Sequence, residues 1–236
     1  MRSKGRLVQL LVAATAIICL ALFGSLQAAD HGHGEAKGVP AAEALKMLQE
    51  GNARFVAGKA THKGADAASR AALTKGQQPF ATILTCSDSR VPPEHIFDQG
   101  LGKLFVVRVA GNLIDPALLG SIEYAALHLG SKLIVVMGHE SCGAITATAG
   151  AVEHPGKAES PSIGDLVTRL TPAVKKAGEK GLKGKELVEE AAVCNAKMVS
   201  GQITAQSPAV AELVKKGEVK IVPAKYMLGS GKVEWL

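Results

Sequence analysis

The chain has 236 residues, 47% of them hydrophobic and 20% charged, enough apolar material for a sizeable core. A disordered tail, a collagen-like repeat and a disulfide miniprotein are excluded. The aromatic share of 3% argues against nucleic acid, because single-strand binders stack bases on aromatic side chains. The formal charge of +6 says little about an acidic partner, since Arg2, Lys4 and Arg6 stand ahead of any acidic residue and only +3 remains without them.

Those three basic residues, an apolar-biased run from Leu7 to Phe23 and the small-residue stretch Ser25 to Ala29 read as a secretory signal, with cleavage expected after Ala28. Residues 1–28 are then a cleaved leader, 29–40 a flexible N-terminal segment, and 41–236 a single α/β domain. The expected location is periplasmic or secreted, with no stable membrane association after cleavage. A retained anchor is the alternative, because the 17 positions of the run approach a span of about 20 residues. Cys19 falls inside the leader, leaving Cys86, Cys142 and Cys194. His31 and His33 sit in a polar linker and are assigned no site.

From Pro40 the pattern turns helical, with Ala41, Leu45, Leu48 and Phe55 on one face and Gly58 as the stop. A looser helix is expected over Ala65 to Lys75. Three short apolar runs rich in branched residues follow as buried strands: Phe80 to Thr85, Leu104 to Val109 and Lys132 to Met137. Between the second and third, Asp115 is a cap, Pro116 opens the first turn, and Ala117 to Leu129 is a helix closed by Gly130. Strand, helix, strand with nearly continuous apolar strands predicts a mainly parallel sheet flanked by helices. Further helical patterns run from Ser141 to Val152, Ser162 to Ala177 and Lys185 to Ala205, with a solvated turn over Lys175 to Lys185. Val219 to Met227 and Lys232 to Leu236 read as a hairpin that adds an antiparallel edge strand at the C-terminus.

Two segments carry chemistry: Cys86-Ser87-Asp88-Ser89-Arg90 after the first strand and His139-Glu140-Ser141-Cys142-Gly143 after the third. Open parallel sheets bind ligands beyond the carboxyl ends of their strands. Cys86 and His139 are 53 residues apart, so only neighbouring strands bring them together. Two thiolates and an imidazole are zinc ligands, and such a set with a free fourth position is a catalytic arrangement. A helix N-terminus at Ser141 would favour thiolate at Cys142. Asp88 beside the first ligand either binds the metal, in a closed state, or orients water on it, with Arg90 holding the carboxylate. A Cys86–Cys142 disulfide is the bland alternative in an exported chain, but it leaves His139, Asp88 and Arg90 without a use. Cys194 reads as a buried thiol, and His95 and His128 are unclaimed as proton shuttles.

The runs CSDSRVPPEHIFDQGLGKLFVVRVAGN (Cys86 to Asn112), GSIEYAALHLG (Gly120 to Gly130) and KLIVVMGHESCGA (Lys132 to Ala144) resemble the β class of carbonic anhydrases. The resemblance extends less sharply from GNARFVAG (Gly51 to Gly58) to YMLGSGKVEWL (Tyr226 to Leu236). It implies reversible, zinc-dependent hydration of carbon dioxide to bicarbonate through a zinc-bound hydroxide, with Cys86, His139 and Cys142 as metal ligands and Asp88 with Arg90 as the catalytic dyad. It further implies a carbon dioxide pocket lined by Gln77, Phe105, Tyr124 and Gly143, drawn from two subunits of a homodimer or homotetramer. Ile83 stands where the members with a bicarbonate-coupled closure usually carry tryptophan, so no such switch is expected; Asp88 found on zinc near neutral pH would contradict this. Val109 stands where the family more often has asparagine. Two other readings share the motifs: a zinc hydrolase of carbon disulfide or carbonyl sulfide, and a metal-binding protein without turnover, which would have no need of Asp88 and Arg90.

Overall fold

The computed structural model describes residues 38–61, 63–156 and 158–236. The leader and most of the N-terminal segment lie outside the described residues. No helix among the described residues is long and apolar enough to cross a membrane.

Helix α1 (Ala41–Val56) opens the described chain. It buries Ala44, Leu48, Gly51 and Asn52, and Ala41, Leu45 and Phe55 of the expected face pack half-buried against the same core. A β-carbon at Gly51 would lie 1.8 Å from the Phe97 carbonyl oxygen, so the helix docks closely through its smallest residue. The looser helix is α2 (Ala67–Leu73), capped by Asp66 and without a buried residue.

The expected strands form as β1 (Ala81–Thr85), β2 (Leu104–Arg108) and β3 (Leu133–His139). After β1 comes a single helical turn, α3 (Pro93–Ile96), and after β2 a 3-10 turn at Ala110–Asn112. Helix α4 (Pro116–His128) begins as the sequence predicts, with the Asp115 carboxylate accepting from the Leu118 N–H. Helix α5 (Gly143–Glu153) starts two residues later than expected. Helices α6 (Pro161–Gly178) and α7 (Gly184–Gln206) follow. A further helix, α8 (Pro208–Lys215), is a correction to the sequence reading. Only Ser207 separates it from α7, and that hydroxyl caps α8 by accepting from the Val210 N–H at 3.2 Å.

The last two strands are β4 (Lys220–Tyr226) and β5 (Val233–Trp235). Sheet order is β2-β1-β3-β4-β5, parallel except for the β4–β5 edge pair. All residues of β1 and β3 are buried, as a strand covered on both faces requires. Alternation sends Ile83, Leu133, Val135 and Met137 into one core with Leu48 and Leu170, and Leu84, Ile134 and Val136 into the other with Ile122 and Val210. Helix α7 serves both, giving Val188 and Ala191 to the first core and Val199 and Ile203 to the second.

Asn52 closes the edge of this fold. Its amide donates to Ile96 O at 3.2 Å and Gly231 O at 2.8 Å, and accepts from the Val233 N–H at 2.9 Å. Truncation removes the partner of backbone groups on α3, on β5 and on the loop before β5. Asn52→Ala is expected to lower unfolding free energy by about 2–4 kcal/mol in a denaturant titration; a loss within experimental error would show that these bonds contribute nothing net.

Candidate metal centre

Parallel pairing places β1 beside β3 with Thr85 opposite Met137, and the Thr85 hydroxyl donates to Met137 O at 3.0 Å. The next residue of β1 is Cys86, and β3 ends two residues on at His139. The chain then turns through Ser141, whose φ of +52° is unusual for a residue with a β-carbon, and Cys142 becomes the N-cap of α5. Cys86, His139 and Cys142 are all buried, and their ligand atoms lie within 4.8 Å of one another.

The imidazole is set for metal. His139 Nδ1 lies 2.9 Å from the Glu140 carbonyl oxygen, which only accepts, so Nδ1 carries the hydrogen and Nε2 presents a lone pair. That Nε2 is buried and has no hydrogen-bond partner among the described residues. A buried acceptor facing two thiols fits a thiophilic dication of zinc's kind. The thiol of Cys142, the imidazole of His139 and the Gly111 N–H, 3.4 Å from Sγ, hold Cys86 down at about 4. Sharing with Cys86 and burial push Cys142 up, against the pull of the Ala144 and Ile145 N–H groups of α5. The expected helix-end effect on Cys142 is thus present but outweighed by its partner thiol.

Asp88 and Arg90 stand at the mouth of the cluster. Arg90 grips both carboxylate oxygens, Nε to Oδ1 at 2.9 Å and Nη2 to Oδ2 at 2.7 Å, while its backbone N–H adds a third bond at 2.9 Å. These contacts hold the Asp88 carboxyl well below the usual carboxylate range. Asp88 Oδ2 is 3.9 Å from His139 Nε2, and Arg90 Nη2 also reaches Ser141 O at 3.4 Å, tying the two segments together. Ile83 is buried in the first core.

Arg108 and Glu189 were missed in the sequence reading. Arg108, the last residue of β2, donates to Cys86 O at 3.0 Å and Asp88 O at 2.6 Å, fixing the backbone between Cys86 and the Asp88–Arg90 pair. A cation ending a buried strand was the available signal. Glu189 of α7 accepts from the Ser141 N–H at 2.9 Å and pairs with the buried Lys225 ammonium at 2.6 Å, so it pins the strained turn between His139 and Cys142.

The pocket residues fall differently. Gly143 follows Cys142 as the first residue of α5. Gln77 is exposed before β1, at the opposite end of that strand from Cys86. Phe105 packs with the second core, whereas Cys86 and Cys142 belong to the first. Its ring centroid lies 6.3 Å from that of Tyr124, which is 44% exposed and has the tilted ring of His128 at 5.3 Å. Within one chain these three residues are not gathered at the ligands. Cys194 is half-buried beside Glu190, outside the ligand group, and burial pushes its thiol up.

A sequence model of the carbonic anhydrase family matches residues 81–233. Carbonic anhydrase from Mycolicibacterium smegmatis is 44% identical over 191 residues, 81% of this chain and 91% of that protein. The crystal structure of the β-carbonic anhydrase CafA of Aspergillus fumigatus superposes with a TM-score of 0.64 at 26% identity, covering 83% of this chain and 89% of that one. The chain belongs to the β-carbonic anhydrase family. A second relative, carbonic anhydrase 2 of Mycobacterium tuberculosis, is 43% identical over 189 residues, 80% of this chain and 89% of that protein. As a β-carbonic anhydrase, the chain is a zinc enzyme of reversible carbon dioxide hydration, and the sequence-based expectation of fold, metal and reaction is met.

Removing the Glu189 carboxylate leaves the buried Lys225 ammonium without its counter-charge, with the Glu189 carbonyl oxygen at 3.4 Å as its remaining contact, and hands the Ser141 N–H to solvent. Glu189→Ala is expected to cost about 2–4 kcal/mol of stability by denaturant unfolding, less than a wholly buried pair because Glu189 keeps some exposure. An unchanged midpoint would mean that solvent replaces both interactions.

Proposed function

We propose that Cys86, His139 and Cys142 hold the zinc ion of this carbonic anhydrase and that Asp88, held by Arg90, orients the attacking water. The observation that carries the reading is the orphaned lone pair of His139 Nε2, buried and facing two thiols, with the Asp88 carboxylate 3.9 Å away. Zinc bound there supplies the Lewis acid that brings the ionisation of water down towards neutral pH.

The protein's own groups do the rest. Asp88 accepts the hydrogen of the nucleophilic oxygen, leaving a lone pair aimed at the carbon of carbon dioxide. Arg90 occupies both carboxylate oxygens from the outer side, which keeps Asp88 anionic and restrains it from turning onto the metal. Arg108 and Glu189 keep the two backbone segments from shifting as charge moves. One carbon–oxygen bond forms, bicarbonate departs, and the proton of the consumed water passes to solvent.

Export and assembly complete the reading. The basic, apolar and small-residue order of the first 28 positions supports removal of a leader and action outside the cytoplasm. Assembly as a homodimer or homotetramer is supported by the exposed apolar side chains of Tyr124 and Leu127 on α4. A second subunit would then bring Gln77, Phe105 and Tyr124 towards the cysteine and histidine cluster.

Stopped-flow hydration of carbon dioxide, with zinc counted per chain, tests the assignment of roles. Asp88→Ala is expected to keep its zinc and lose about 10²–10³-fold in kcat/KM, the range for a group that orients the reacting oxygen. Cys194→Ser should keep both metal and rate. Full activity in Asp88→Ala, or zinc lost with Cys194, would overturn these roles.

A further inference from the structure

Among the described residues, the Cys86 sulfur receives a hydrogen bond from outside the two cysteine- and histidine-bearing segments, from the Gly111 N–H at 3.4 Å. Gly111 sits in the 3-10 turn after β2 at a φ of +75°, where a β-carbon would be strained and would also lie 2.7 Å from Leu170 Cδ1. The turn is closed by Asn112 N–H on Val109 O at 3.0 Å and anchored at Val109 by bonds to Thr85 O at 3.2 Å and from Ser87 N–H at 3.3 Å, none of which reaches the Gly111 carbonyl. The Gly111 carbonyl is satisfied from α7, where Asn195 Nδ2 donates to it at 2.8 Å. Asn195 is 3% exposed and stands among buried Ala191, Ala192, Ala196 and Val199 on a helix that otherwise gives small apolar residues to the two cores. A buried amide in that row is costly unless it is hydrogen-bonded, and the bond it makes is to the residue that donates to a ligand sulfur.

We propose that Asn195 is a positioning residue of the metal centre: by holding the Gly111 carbonyl it aims the Gly111 N–H at Cys86 Sγ, and so sets how strongly that sulfur donates to zinc. The proposal rests on Cys86 being a ligand. Outer partners of this kind orient ligands and tune the metal. Without Asn195 the Gly111 carbonyl loses its partner while the Val109 end of the turn stays bonded to Thr85 and Ser87; the Gly111 peptides tilt, the N–H bond to the sulfur weakens, and the thiolate becomes more electron-rich but less well placed.

Two measurements on the full chain test this. The first is the sulfur-to-cobalt charge-transfer absorption of the cobalt-substituted protein, and the second is the rate of zinc loss to an excess chelator. Asn195→Ala is expected to move the charge-transfer band to longer wavelength and to speed zinc loss by about 10-fold or more. Val199→Ala, a truncation on the same helix facing the second core, controls for lost packing and should change neither. Asn195→Ser, a smaller perturbation of the same site, is read in the same way if Asn195→Ala does not fold. An Asn195 variant that matches Val199→Ala in band position and zinc loss overturns the positioning role. Absence of any sulfur-to-cobalt band in the unmodified chain overturns the ligand reading itself, so the two failures are distinguishable.

Discussion

Everything at the metal centre depends on the parallel register of β1 and β3. A slip of two residues in that ladder would preserve the faces of both strands, and hence both cores, yet move Cys86 by more than the separation that a single ion can bridge. The register is held by burial on both faces and by the bond from Thr85 to Met137 O, one residue ahead of Cys86 and two ahead of His139. Fold stability and ligand placement therefore come from the same interactions. The site is built on strand ends, with loops contributing only the dyad and Cys142.

Placing two thiols and an imidazole in a dry pocket opposes ionisation, and the surrounding backbone offsets this in a directed way. The Glu140 carbonyl sets the imidazole tautomer, the Gly111 N–H supports Cys86, and the first amides of α5 face Cys142. The turn that swings Cys142 back towards His139 requires a left-handed serine, and Glu189 stabilises that turn. Helix α7 thus reaches the site twice, through Glu189 on one ligand segment and Asn195 on the turn beside the other. Its long packed length across both cores makes it a rigid reference for the pair.

Strands β1 to β3, the capped helix α4 and the clustering of Cys86, His139 and Cys142 were readable from the sequence because each has a local signature: branched apolar runs, Asp115-Pro116, and cysteine or histidine at or beyond a strand end. The rest depended on distance in the chain. The close approach of α1 at Gly51 depends on Phe97, 46 residues away. Helix α8 was hidden because one residue, Ser207, separates it from α7. Arg108, Glu189 and Asn195 act through backbone groups of partners up to 84 residues distant, and a hydrogen bond to a carbonyl or an amide leaves no pattern in the partner's sequence. Gln77, Phe105 and Tyr124 could be named from family resemblance alone.

X-ray absorption at the zinc edge of the purified, zinc-loaded chain tests the central claim most directly. The account predicts two sulfur neighbours at about 2.3 Å and two lighter neighbours at about 2.0–2.1 Å, one of them imidazole nitrogen, with the fourth position left to a small oxygen ligand. Three sulfurs would bring Cys194 into the site, and fewer than two would remove Cys86 or Cys142 from it. Either result would contradict the arrangement that the β1–β3 register dictates.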